Sequence, residues 1–245
     1  MTALETTASR PLARIAVSGS AAAQRAWARR RDPQAQWLAA LVFVFLAASA
    51  AFADVVEDYL TGDPIVRWDV ELARWLHGHS SSRVVDVFRV VTLAGNAAVL
   101  ALVVAATLAL LLRHRLIADA VLLAAVALGI EALNGALKLA FHRPRPELSF
   151  VHLDTYSFPS GHAAGSAAIY ATIAFIAARW LKPHAQVLLA AAVVLLVLAV
   201  AFSRLYLGAH YLSDVLAGLS LGTAWAAGCL LGYELVRGRR RSGPV

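Results

Sequence analysis

Residues 187–214 read VLLAAAVVLLVLAVAFSRLYLGAHYLSD. The stretch Val187–Phe202 contains only Ala, Val, Leu and Phe; polar side chains then arrive together as Ser203-Arg204, His210 and Asp214. By β-propensity the apolar part passes for a strand. In lipid, however, an open strand leaves its backbone unpaired, so a membrane-spanning helix is the reading that survives. This one stretch therefore predicts both a span and, at its end, a cluster of chemically capable residues.

Five more blocks of the same kind lie outward from it: Trp37–Ala53, Val90–Leu112, Ile117–Leu137, His162–Leu181 and Leu212–Tyr233. At 1.5 Å per residue the six spans reach about 24–34 Å, close to the hydrocarbon thickness of a bilayer. Composition agrees. The chain has 245 residues, 60% of them hydrophobic and 15% charged, against about 45–50% apolar and about 25% charged in a soluble domain. An ordinary cytosolic enzyme, a disordered chain and a nucleic-acid binder are excluded. The expected fold is all-α: a polytopic membrane protein of six transmembrane helices. The one cysteine, Cys229, sits in an apolar block and reads as a small buried hydrophobe.

The net charge of +7 is explained by topology rather than by an acidic partner. Arg10, Arg14, Arg25, Arg29, Arg30 and Arg31 precede the first span; Arg113 and Arg115, Arg179 and Lys182, and Arg237, Arg239, Arg240 and Arg241 follow alternate spans. All then lie on one face, and the positive-inside rule makes it cytoplasmic, with both termini. The expected organisation is a basic arm 1–36, a membrane domain 37–233 and a basic tail 234–245. The arm reads either as an amphipathic stretch on the inner leaflet or as a disordered segment. Ala51-Phe52-Ala53 resembles a signal-peptide cleavage site, but residues 1–36 are too long a leader before the apolar run. Loops 54–89, 138–161 and 203–211 are expected outside. Within the first, Trp68, Leu72, Trp75 and Leu76 recur at helical spacing over Ile65–Val91, predicting an interfacial helix that serves as a wall of the outer site or as padding.

Polar residues do not interrupt the middle of several spans as in a transporter. Glu131 and Asn134, three apart in the third span, read as interhelical glue or as support for the outer site. The polar residues that stand out gather at the outer face in three groups. Lys138, Arg143 and Arg145 lie in KLAFHRPRP, residues 138–146. Cations at span ends can simply snorkel to headgroups, but an Arg fork stiffened by Pro144 and Pro146 suits phosphate oxygens. Pro159-Ser160-Gly161-His162 stands where a helix begins. There the amides of Ser160, Gly161 and His162 are available to an anion, Gly161 permits close approach, and His162 is placed to protonate a leaving oxygen; the plainer reading is a capped turn. In the third group, His210 and Asp214 are four apart and face each other on a helix. The carboxylate then fixes the ring's tautomer and leaves the other nitrogen free, or merely pins a helix. Arg204 stands ready for phosphoryl oxygens.

Taken together, Lys138…Arg145-Pro146, Pro159-Ser160-Gly161-His162 and Ser203-Arg204…His210…Asp214 resemble the three ordered motifs of the type 2 phosphatidic acid phosphatase (PAP2) superfamily, membrane lipid phosphatase branch. The resemblance spans about residues 55–233 and shows no departure in the motifs. It implies a PAP2-like six-helix bundle with His210 as nucleophile, Asp214 as its orienting partner and His162 as acid and then base. Lys138, Arg145, Ser160, Gly161 and Arg204 would hold the phosphoryl oxygens. It implies no cofactor and no metal: cations and amides supply the charge stabilisation. Arg143 is left over as a cation for a second phosphate.

The expected partner is a membrane lipid phosphate, with no nucleic acid, in the inner membrane of a bacterium with the site facing the periplasm or exterior. Undecaprenyl diphosphate is the first expectation for substrate. Phosphatidate or phosphatidylglycerol phosphate is the alternative, and a catalytically silent lipid-binding or lipid-moving protein is the alternative of another class. Saturating EDTA is expected to leave phosphate release unchanged; inhibition that a divalent ion reverses would contradict the metal-free reading.

Overall fold

The computed structural model describes residues 32–62, 64–151 and 153–241; the basic arm to residue 31 and the last four residues lie outside it. The chain divides by packing into two units, 1–41 and 42–245. Of the first, the described part opens helix α1 (Pro33–Thr61). The second holds the rest of α1 and, in order, α2 (Pro64–Gly78), α3 (Ser82–Val91), a 3₁₀ turn (Thr92–Gly95), α4 (Ala97–Arg113), α5 (Ile117–Phe141), α6 (Gly161–Ala178), α7 (Pro183–Tyr206) and α8 (Leu212–Arg241). No strand occurs among the described residues. Among the described residues, five helices are long and apolar enough to cross a membrane, and the bent pair α3–α4 makes a sixth span if counted as one.

Lipid accounts for the surface. Phe43 and Leu128, on α1 and α5, are 71% and 73% exposed, a loss in water but not in hydrocarbon. Packing inside the bundle uses small residues instead, as expected where no hydrophobic drive joins helices. α6 is the central helix, in contact with α4, α5, α7 and α8. Its approach to α8 is at backbone level. A Cβ at Gly218 would lie 2.5 Å from the Ser160 carbonyl oxygen, and one at Gly222 would lie 2.3 Å from that of Ala164.

The helices exceed the expected spans at most ends, and this moves residues from loop to helix. Residues 54–61 belong to α1, Lys138 lies in the last turn of α5 rather than after it, and Ser203-Arg204 lie inside α7. The expected second span, Val90–Leu112, is broken. A 43° bend falls at the 3₁₀ turn, where Asn96 caps α4 by accepting a hydrogen bond from the Ala98 amide at 2.9 Å. Gly95 allows the turn to press against α6 and α7, since a Cβ there would meet Val200 Cγ1 at 2.5 Å and Ser166 Oγ at 3.0 Å. The expected single amphipathic helix over Ile65–Val91 is two helices, α2 and α3.

At the end of the bundle away from His210, Asp119 of α5 meets Arg179 after α6 at 2.6 Å, and Arg179 Nη1 donates to Tyr233 Oη of α8 at 2.8 Å. Arg179 is thus more than a surface charge: it ties three helices. Gly222→Ala is expected to push α6 off α8 and cost about 1–3 kcal/mol, read as a fall in thermal stability of the purified protein in detergent. An unchanged Tm would mean that the two helices adjust freely.

Candidate active site

Loops and helix ends from α5 to α8 converge at the other end of the bundle. His142 ends α5 in the left-handed region (φ 48°), and the chain then runs without regular secondary structure through Arg143-Pro144-Arg145. This segment is tied down by Ser157, whose amide donates to the Arg143 carbonyl at 2.9 Å and whose Oγ donates to that of Pro144 at 3.0 Å. After α7 the chain reverses at Gly208 (φ +65°), where a Cβ would fall 2.2 Å from the Leu148 carbonyl oxygen. The Arg204 carbonyl accepts from the Ala209 and His210 amides at 3.0 and 3.3 Å. The turn thereby seats His210 beside the start of α8. On the α6 side, the Ser160 amide donates to the Asp214 carbonyl at 2.9 Å, which joins the Pro159–His162 turn to α8.

His210 Nδ1 lies 3.4 Å from Asp214 Oδ2, and Arg145 Nη1 lies 3.1 Å from His210 Nε2. A guanidinium has donors only. Nε2 is therefore the ring's acceptor, and the proton belongs on Nδ1 toward Asp214. The Asp214 carboxylate is itself held: Oδ2 accepts from the Tyr211 amide at 2.9 Å, and Oδ1 accepts from Arg143 Nη1 at 2.7 Å. Burial lowers the His210 pKa to about 4; Asp214 opposes this, and Arg145 and Arg204 add to it.

The remaining cations have neutral partners. Lys138 Nζ donates to the Tyr156 carbonyl. Arg145 Nε donates to the Thr155 carbonyl at 2.6 Å, Nη2 to Thr155 Oγ1 at 2.8 Å, and Nη1 also to the Ala209 carbonyl at 2.7 Å. Arg204 Nη1 donates to Thr92 Oγ1 at 2.7 Å, so the 3₁₀ break serves this site, while its Nε and the hydroxyl of Ser160 are buried without a partner. His162 lies within Coulombic range of Lys138, Arg145, Arg204 and His210. Three positive charges without carboxylate hydrogen-bond partners, two of their neighbourhood's buried polar atoms (Arg204 Nε and Ser160 Oγ) also without one, make a crevice that suits a multiply charged anion.

All eight expected site residues come together, with three corrections. The Ser160 amide is consumed by Asp214, so only its hydroxyl and the amides of Gly161 and His162, which stand outside the helical ladder as the first residues of α6, remain for an anion. A Cβ at Gly161 would meet Asn134 Nδ2 at 2.8 Å; the glycine makes room for Asn134, which is buried there while Glu131 is exposed. Arg143 is no free cation. It is 5% exposed, packed between the Tyr59 and Tyr211 rings at 4.7 and 4.5 Å, and its Nη2 donates to Asp69 Oδ2 at 2.8 Å. Burial opposes its charge, but Asp214 and Asp69 raise its pKa above the ordinary arginine value. Asp69 itself, on α2, was not singled out by its sequence context, where it is one acid among seven in an outer loop. Among the described residues, no group of three or more His, Cys, Asp or Glu is placed to hold a metal ion.

Fold and crevice together define a polytopic membrane protein with a buried His–Asp pair beside a cluster of cations at one end of its bundle. The PAP2 superfamily model matches residues 118–237, which contain all eight residues. Phosphatidylglycerophosphatase B of Bacillus subtilis (strain 168) is 40% identical over 110 residues, 43% of this chain and 50% of the relative. The matched region thus spans half that relative's length. The crystal structure of the first transmembrane PAP2 type phosphatidylglycerolphosphate phosphatase from Bacillus subtilis superposes with a TM-score of 0.67 at 25% identity, covering 83% of this chain and 97% of that one. Aquifex aeolicus LpxE shares the fold, with a TM-score of 0.55 at 23% identity over 66% of this chain and 94% of that one.

A stability prediction follows from His210. Its folded-state pKa lies below the ordinary 6.5, so the unfolded chain binds the extra proton first as pH falls. Stability from this group is complete above about pH 6.5 and is lost progressively toward pH 4. Thermal unfolding in detergent is expected to drop over that window, and more shallowly in His210→Gln. Equal slopes would mean that His210 is not held neutral.

Proposed function

We propose that the protein is a membrane lipid phosphatase that removes a terminal phosphate monoester, phosphatidylglycerol phosphate being the first candidate substrate, through a covalent phosphohistidine on His210. The observation that carries this is the Arg145 contact to His210 Nε2 at 3.1 Å, with Asp214 on the opposite nitrogen. It leaves a lone pair, not a proton, facing the cations.

Substrate phosphate oxygens take the donors of Arg145, Lys138, Arg204, the Ser160 hydroxyl and the first amides of α6. Nε2 then attacks phosphorus in line, forming the P–N bond as the P–O bond to the lipid breaks. His162 passes a proton to the leaving alkoxide. The Nδ1 proton stays directed at Asp214, which stabilises the positive ring. In the second step His162 takes a proton from water, the hydroxide attacks phosphorus, the P–N bond breaks and inorganic phosphate leaves. The covalent intermediate divides one difficult hydrolysis into two easier steps, and the preorganised cations lower the barrier for each.

Two observations favour a monoester over the diphosphate that the sequence reading put first. Arg143, the cation set aside for a second phosphate, is buried between Asp69 and Asp214. The curated relative and the better-matching solved structure are both named for phosphatidylglycerol phosphate. A silent lipid-binding protein has no need of a ring held in the nucleophilic tautomer. The distribution of arginines supports termini in the cytoplasm and a site opening on the other side of the inner membrane, where the lipid tail stays in the bilayer.

The test is phosphate release by purified protein in detergent across phosphatidylglycerol phosphate, phosphatidate and undecaprenyl diphosphate, with His210→Ala as the blank. Preference for phosphatidylglycerol phosphate and a loss of at least about 10³-fold in the blank are expected. Preference for the diphosphate would restore undecaprenyl diphosphate as the substrate. Undiminished turnover by His210→Ala would remove the nucleophile.

A further inference from the structure

Asp69 lies on α2, a helix outside the region matched by the family model. α2 is amphipathic: Trp68 and Trp75 are 65% and 58% exposed, whereas Asp69 is 1% exposed and Leu76 is buried. The inward face packs on the turn that carries the nucleophile, since Asp69, Leu72, Ala73 and Leu76 line one crevice with Leu205, His210, Tyr211 and Leu212. A bare carboxylate buried this deeply is strongly unfavourable unless fully bonded. Asp69 is so bonded. Oδ1 accepts from the Ser213 amide at 2.8 Å. Oδ2 accepts from Arg143 Nη2 at 2.8 Å and from the Ser213 hydroxyl. Arg143 Nη1 in turn donates to Asp214 Oδ1 at 2.7 Å and to Ser213 Oγ at 2.6 Å.

We propose that Asp69 is a positioning residue for the reaction: it holds the Arg143 fork so that Asp214 stays aimed at His210 with its negative charge only partly neutralised. The inference rests on the phosphohistidine reading above. One arginine shared by two carboxylates leaves a net negative charge in this layer. Without the Asp69 charge, Arg143 neutralises Asp214 alone, and Asp214 stabilises the positively charged ring of the phosphoryl-transfer step less. A single ammonium does not bridge both carboxylates as the planar fork does. The interfacial helix that meets the membrane surface is thereby wired to the nucleophile through four side chains: Asp69, Arg143, Asp214 and His210.

The readout must separate positioning from mere packing. The groups that face His210 are Asp214 of α8, Arg145 of the loop after α5 and Arg204 of α7, with His162 of α6; none is changed in the test. In Asp69→Asn, kcat is expected to fall at least tenfold with KM within twofold, and Asp69→Glu, which keeps the charge, to recover part of the loss. In ¹⁵N-histidine spectra of the protein in micelles, with the His210 signals assigned by their loss in His210→Ala, Asp69→Asn should titrate at lower pH than the wild type. Arg143→Lys, which keeps the positive charge in the layer, should perturb the same His210 signals and serves if Asp69→Asn does not fold. An unmoved His210 signal in a folded variant, with only Tm lowered, overturns the positioning role. Turnover by His210→Ala overturns the functional reading alone, because the spectra still report whether Asp69 acts on His210.

Discussion

Where Gly222 faces Ala164, α6 and α8 approach so closely that a Cβ would sit 2.3 Å from a carbonyl oxygen. One turn earlier, Gly218 faces the Ser160 carbonyl in the same way, and just beyond it the Ser160 amide reaches the Asp214 carbonyl. This seam decides whether there is a site at all. His162 begins one helix and Asp214 the other, and neither helix has an apolar drive toward its partner in lipid. Only close van der Waals contact, which small residues allow, brings them together. The broken span contributes in the same way, with Gly95 pressed on α6 and α7 so that Thr92 reaches Arg204.

Electrostatics then sorts the cations into two kinds. Arg143 is matched by two carboxylates and is structural in its contacts, though close to the reacting ring. Lys138, Arg145 and Arg204 rest on carbonyls, threonine hydroxyls and the His210 ring, so their charge is not neutralised by direct bonding. Three cations in a half-buried crevice, with Asp214 as the nearby carboxylate already held by Arg143, are unfavourable to the resting protein. The same charge is an attraction for a phosphate dianion, and an arriving phosphate displaces neutral acceptors rather than competing with carboxylates. The Arg145 contact to Nε2 keeps the lone pair of His210 turned toward these cations.

Much of this was legible in the chain. Apolar blocks predicted the helices because a bilayer leaves few alternatives for a buried backbone, and the three polar groups were visible because polar residues are conspicuous against such a background. What was misread has a common cause. The second span looked continuous and breaks at Asn96, which caps α4. Gly161 looked like a phosphate-approach glycine and makes room for Asn134. Arg143 looked like one more phosphate ligand and is a clamp on Asp214. For Gly161 and Arg143 residue type was informative and the partner, distant in the chain, was not.

Sequence by itself therefore determined the all-helical, membrane-spanning class and picked out eight residues that the fold gathers at one end of the bundle. Helix periodicity, hydropathy and spacing within a motif are local properties, written in consecutive residues. Tertiary structure alone decided which nitrogen of His210 is free, that Ser160 spends its amide on Asp214, and that Asp69, far from every motif, stands behind Arg143. These depend on contacts between residues as far apart in the chain as Asp69 and Ser213, where packing sets distance and burial sets the strength of each charge.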